Sequence, residues 1–180
     1  MEHRGMNKEA ELIIIPEGCI SAGAGNKILR STPLGSCVAL IAYSRRMKTG
    51  GLAHILLPGK APDGESQNAD KYAENAVSSL LNELAGYGIS GSDLEIALIG
   101  GANVLKDEKD DIPARIVENI TEVVKENGLK LGVSSLGGFE RRTAELDLAT
   151  GVVKYTIGNS RKNFLKDLSQ SECKGNPGEQ

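Results

Sequence analysis

Residues 30–58 read RSTPLGSCVALIAYSRRMKTGGLAHILLP. Two near-continuous apolar runs, CVALIAY (37–43) and GLAHILL (51–57), flank a polar connection, SRRMKTG. Runs that lack polar alternation are the pattern of strands buried on both faces. The short polar connection predicts that the two pair as a hairpin. A sheet covered on both sides needs further layers, and the rest of the chain supplies candidates for them.

Upstream, ELIII (11–15) reads as a strand ended by Pro16. Downstream, PGKAPDGESQN (58–68) is a loop rich in turn formers. In 69–85, Ala69, Tyr72, Ala73, Ala76, Val77, Leu80, Leu81 and Leu84 recur at helical spacing, with Gly86 and Gly88 as terminators. LEIALIGG (94–101) predicts a strand and a glycine turn. A second helix is predicted from Asp111 as N-cap, with Pro113 in its first turn. Its stripe is Ile112, Ile116, Val117, Ile120, Val123 and Val124, and Gly128 stops it. LKLGVSS (129–135) predicts a strand, and TAELDL and GVVKYTI predict a terminal hairpin about Ala149-Thr150-Gly151. The expected architecture is a mixed α/β layered sandwich with a largely antiparallel sheet and two main helices. Its domain should run over residues 11–165, between a leader (1–10) and a polar tail (166–180).

Composition narrows the function. The 180 residues carry a net charge of -3, and they include no Trp, two Phe and four Tyr. An acidic chain poor in aromatics is ill suited to bind phosphate backbones or stack bases. No apolar run approaches the roughly 18 residues of a membrane span. The opening MEHRGMNKEAE has no signal-peptide core, so a cytoplasmic protein is expected. Only three cysteines (Cys19, Cys37, Cys173) and two histidines (His3, His54) are present, with no CxxC pair. Neither a disulfide framework nor a zinc site is expected from that set, which would need more thiols or more histidines at ligand spacing.

Chemistry is sought first at Cys37. It follows a Pro/Gly turn, Thr32-Pro33-Leu34-Gly35-Ser36, where a thiol sits at a rim and turn amides can face a developing oxyanion. His54 lies in the partner run, within cross-strand reach of about 5 Å at Cβ. Pairing with an imidazole is expected to lower the thiol pKa and supply a thiolate. The plainer reading stands beside it: a strand-start Cys is commonly a small buried hydrophobe, and a lone His a satisfied core residue. Cys19 and Cys173 have no predicted histidine neighbour. Gly100-Gly101 and Gly137-Gly138 read as turns needing positive φ. Arg141 and Arg142 are candidates for a substrate carboxylate, or simply a solvated hairpin end. GAGNK (23–27) lacks the glycines of a dinucleotide fingerprint, PGK (58–60) is not a phosphate loop, and the Asn119 sequon falls inside a predicted helix.

LGSCVALIAY (34–43), GGLAHILLP (50–58), Lys71-Tyr72, IGGANVL (99–105) and LGGFERRTAELDLATGVVKY (136–155) together resemble the chemoreceptor glutamine deamidases, the CheD family. The resemblance covers nearly all of residues 11–158. It implies a fold like that of a bacterial toxin deamidase and a Cys-His-Thr triad, with Cys37 as nucleophile and His54 as base. The family threonine lies six residues before the cysteine, where this chain has Ser31, so Ser31 is favoured as third member and Thr32 follows closely. Gly35 and Ser36 are the expected oxyanion and site-lining residues. The implied activity is that of a protein-glutamine glutaminase, converting receptor glutamines to glutamates in chemotaxis. No metal or organic cofactor is called for. The implied partners are chemoreceptor cytoplasmic helices as substrate and a CheC-type phosphatase as regulator. Two rivals are a non-catalytic binding module for such a phosphatase and a small-molecule cysteine amidase.

Overall fold

The computed structural model describes residues 9–170. The two apolar runs form β4 (Val38–Ser44) and β5 (Thr49–Ile55), in which all residues are buried. They pair antiparallel with Ala39 opposite His54. Around them a five-stranded sheet assembles in the order β2-β5-β4-β6-β7, with β2 Ile20–Ala24, β6 Leu94–Gly100 and β7 Lys130–Leu136. A second five-stranded sheet has the order β1-β3-β8-β9-β10: Glu11–Ile15, Lys27–Ser31, Arg142–Asp147, Val152–Ile157 and Asn163–Asp167. The β1–β3 and β6–β7 pairs are parallel and the remaining pairs antiparallel. The expected mixed α/β sandwich is thus the fold class observed, built from two sheets.

Strand alternation sorts the first sheet into two faces. Val38, Leu40, Ala42, Ala53, Ile55, Ile96 and Leu98 share a core with the stripes of helices α1 (Ala73–Gly86) and α2 (Ile112–Glu126). Ala39, Ile41, Tyr43, Leu52, Ala97 and Ile99 pack on the second sheet through Ile15, Leu29, Ala144, Leu146 and Val153. The layers are therefore helices, sheet, sheet. Each fully buried Leu or Ile stabilises this packing by about 1.5–3 kcal/mol, which is why the central strands carry no polar alternation.

Several boundaries differ from expectation. The first helix starts at Ala73 rather than 69, preceded by a 3-10 turn, Ser66–Lys71. The Lys71 carbonyl accepts from the amides of Leu56 and Leu57, both at 2.9 Å, and Tyr72 is extended, which breaks the helix there. Within GAGNK, Gly25 and Asn26 make the turn between β2 and β3, two five-residue strands too short to show a clear period. The folded region also continues past residue 165: β10 holds Lys166 and Asp167, and Leu168 is buried. The proposed tail boundary is corrected to that extent, while residues 1–8 and 171–180, with His3 and Cys173, lie outside the described residues.

The glycine turn after β6 seats the Cys37 segment. Gly100 has φ +124°, and a Cβ there would collide with the Cys37 carbonyl oxygen. Gly101 donates to that same oxygen at 2.8 Å. Gly100→Ala is expected to destabilise the protein by about 1–3 kcal/mol through backbone strain. Urea unfolding with an unchanged slope and a lowered midpoint is the check; an unmoved midpoint would show that the turn relaxes freely.

Candidate active site

Cys37 precedes β4 by one residue, so alternation puts it on the Ala39 face. His54 is directly opposite Ala39, which makes Cys37 and His54 diagonal rather than facing neighbours. Both point into the layer between the sheets: His54 is fully buried and Cys37 partly. The turn before Cys37 is held from both sheets. Leu34 and Arg142 of β8 exchange backbone bonds of 2.7 and 3.0 Å, and Ala102, beyond β6, donates to the Gly35 carbonyl at 2.9 Å. The amides of Gly35, Ser36 and Cys37 donate to no carbonyl among the described residues, which leaves them able to polarise a substrate carbonyl.

His54 Nδ1 sits 3.4 Å from the Ile15 carbonyl oxygen and 3.3 Å from Thr32 Oγ1. A carbonyl can only accept, so Nδ1 carries the ring hydrogen and Nε2 the lone pair. Nε2 is buried with no hydrogen-bond partner. A buried nitrogen without a protein partner is costly. The hydroxyl at the ring is that of Thr32, and Ser31 is engaged elsewhere: its Oγ accepts the Ala144 amide at 3.0 Å. Spacing favours Ser31, with Thr32 close behind; the hydroxyl within reach of the ring is that of Thr32. Ser31 ends β3 on the buried side shared with Leu29, facing β8. Thr32 has left the ladder, its amide donating to Ile15 at 3.0 Å, and its side chain is free to turn to the imidazole.

One residue at the site was missed in the sequence. Glu17, Cys37 and His54 bring a carboxylate oxygen, the sulfur and a ring nitrogen within 4.8 Å of one another. Glu17 sits at the corner of the turn Pro16–Cys19, closed by Cys19 N–H to Pro16 O at 3.2 Å, with Gly18 at φ +71°. That turn is tied to His54 in both directions, Gly18 N–H to His54 O at 2.9 Å and His54 N–H to Cys19 O at 3.0 Å. An exposed glutamate on a Pro/Gly turn carries no signal in one sequence, since its neighbours come from β4 and β5.

The electrostatics depart from the expected thiolate. Burial first, then the Glu17 charge, pushes the Cys37 thiol up, against weaker stabilisation of the thiolate by its own amide and the Ser36 side chain. Burial pushes His54 down, opposed by the Ile15 carbonyl and Glu17. Both shifts favour the neutral thiol and the neutral imidazole over a thiolate–imidazolium pair. Arg142 is structural: Nε donates to Ser135 Oγ at 3.2 Å and Nη1 to the Gly137 carbonyl at 2.6 Å. Exposed Arg141 lines a cavity of about 300 Å³ with Pro33, Glu140 and Asn159, and neither Cys37 nor His54 reaches it.

A family model described as CheD chemotactic sensory transduction matches residues 56–156. The chain belongs to the CheD family. A protein of Chlorobium luteolum named probable chemoreceptor glutamine deamidase CheD is 35% identical over 163 residues, 91% of this chain and 81% of that one. The chemoreceptor glutamine deamidase CheD of Thermotoga maritima is 36% identical over 136 residues, 75% of this chain and 85% of that one. A probable chemoreceptor glutamine deamidase CheD of Methanococcus maripaludis is 38% identical over 135 residues, 74% and 87%. The match to the family model starts after Cys37 and His54. The Chlorobium alignment, over 163 of 180 residues, necessarily includes both.

Two measurements test this geometry. Glu17→Gln removes a charge that raises the thiol pKa, so the pH midpoint of Cys37 alkylation by iodoacetamide should move to lower pH; an upward shift would contradict the arrangement. Ser31→Ala leaves the buried Ala144 amide without its acceptor and should cost about 1–3 kcal/mol in unfolding free energy. Thr32→Val should cost less stability than Ser31→Ala.

Proposed function

We propose that this chain is a cytoplasmic chemoreceptor glutamine deamidase, a cysteine hydrolase acting on glutamine side chains in chemotaxis. The observation that carries the reading is the buried His54 ring, its Nε2 without a partner, with a ring nitrogen within 4.8 Å of the half-buried Cys37 sulfur. The names of the relatives support the substrate class.

The reaction follows from the neutral pair. His54 Nε2 takes the Cys37 proton as sulfur attacks the carboxamide carbon, so charge develops only in the transition state. Amides of Gly35, Ser36 and Cys37 hold the oxyanion. The imidazolium, steadied by the Ile15 carbonyl, Thr32 Oγ1 and Glu17, protonates the departing nitrogen, and ammonia leaves a thioester. His54 then deprotonates water, which attacks the thioester, and Cys37 departs with the returned proton. Thr32 is a positioning residue acting through His54. Val104 packs against Gly35, and the nearby chain exposes Leu105 and Phe139, with Lys106 5.8 Å from the Phe139 ring centroid. Exposed apolar side chains of this kind suit a receptor helix, and equally a CheC-type phosphatase presenting a similar surface.

Incubation with a receptor cytoplasmic fragment should add about one dalton per converted glutamine, the change from carboxamide to carboxylate. Cys37→Ala should abolish that shift while leaving the fold intact; activity above a trace would overturn the mechanism. Thr32→Val should lower kcat with little change in KM, and Ser31→Ala should lower stability more than kcat. Equal, mild kinetic effects from both would show that no hydroxyl positions His54.

A further inference from the structure

We propose that Glu17, Cys37 and His54 form a site for a thiophilic divalent cation of the Zn²⁺ class, and that occupying it switches the deamidase off. The consequence for activity rests on the catalytic reading above; the site itself does not.

The three donors differ in kind: a thiol sulfur, an imidazole nitrogen and a carboxylate oxygen, mutually within 4.8 Å. A thiolate with an imidazole selects Zn²⁺ and its neighbours over Mg²⁺ or Ca²⁺, which take oxygen donors. Bond lengths to zinc of about 2.0–2.3 Å require a contraction of roughly 1 Å between donors. The Cys37 side chain and the exposed, turn-borne Glu17 carboxylate can supply that movement.

The second observation is the state of His54. Metal-bound histidines characteristically donate their other ring N–H to a carbonyl or carboxylate, which fixes the tautomer and aims the lone pair. His54 already has that arrangement, with Nδ1 held by the Ile15 carbonyl and Thr32 Oγ1. Nε2 is the nitrogen left over, fully buried and without a partner. The imidazole is thus oriented as a ligand before any ion arrives. Backbone bonds fix the spacing of the other donors: the Glu17 turn is tied to His54 at 2.9 and 3.0 Å, and Gly101 holds the Cys37 carbonyl at 2.8 Å. Three protein ligands leave a fourth position for water. On binding, the thiol proton passes to solvent, and the sulfur and Nε2 electron pairs are both committed to the ion. Neither is then available for attack or proton transfer.

The test uses the full-length, metal-free protein titrated with Co²⁺. A thiolate-to-cobalt charge-transfer band should appear at one equivalent and be displaced by one equivalent of Zn²⁺. The band should survive in a Cys19→Ser/Cys173→Ser double variant and vanish in Cys37→Ser. Glu17→Gln should weaken cobalt binding at least about tenfold. One equivalent of Zn²⁺ should abolish deamidation, and a chelator should restore it. A band that persists in Cys37→Ser, or equal affinity in Glu17→Gln, would overturn the site. Full deamidation with zinc bound would overturn the switch. A metal-free protein inactive on receptor fragments but with the band intact would uphold the site and defeat the catalytic reading instead.

Discussion

The carbonyl of Ile15, the last residue of β1, accepts from two directions: the Thr32 amide at 3.0 Å and His54 Nδ1 at 3.4 Å. The first bond anchors the chain as it leaves β3 and starts the turn that ends at Cys37. The second sets the tautomer of a histidine carried by the other sheet. Because the acceptor cannot donate, the ring hydrogen is on Nδ1 and the lone pair is on Nε2. One main-chain oxygen at the junction of the two sheets therefore sets the His54 tautomer and anchors the start of the turn that leads to Cys37.

This has an energetic consequence. A buried imidazole with one unpaired nitrogen is destabilising, as is a half-buried thiol near a carboxylate. The structure tolerates both because the surrounding sheet is buried on two faces and the turn is pinned at Leu34, Gly35 and Cys37. Cysteine enzymes that rest as an ion pair hold a ready thiolate. Here burial pushes the thiol up and the imidazole down, so both groups favour their neutral forms. Glu17 opposes the depression of His54 and favours the imidazolium once it forms. The same carboxylate completes the three-donor set for a thiophilic ion, so one residue on an exposed turn bears on both states of the site.

Much of the fold was legible in the chain. VALIAYS and GLAHI carry no polar alternation because both faces of their sheet are covered, and the helical stripes of α1 and α2 cover one of them. The Gly100-Gly101 and Gly137-Gly138 turns were legible from glycine's access to positive φ, observed at all four positions. The second sheet was only partly visible. β2 and β3 are five residues each, and β10 looks like polar tail because its pairing with β9 is irregular and half-exposed. Strands of five residues have too few residues to display a period.

At the site, the sequence by itself determined that any cysteine–histidine chemistry joins Cys37 to His54, since within the folded region no other histidine exists and the hairpin brings the two strands together. Tertiary structure alone decided which hydroxyl reaches the imidazole. Ser31 and Thr32 are adjacent hydroxyls that chain spacing cannot separate. They part because β3 ends between them, turning one hydroxyl to the Ala144 amide and the other to the imidazole. Glu17 stands 20 positions from Cys37 and 37 from His54, and only the ties between its turn and β5 put its carboxylate beside them. Contacts of that kind depend on where separate strands end in space, which no local pattern of residues records.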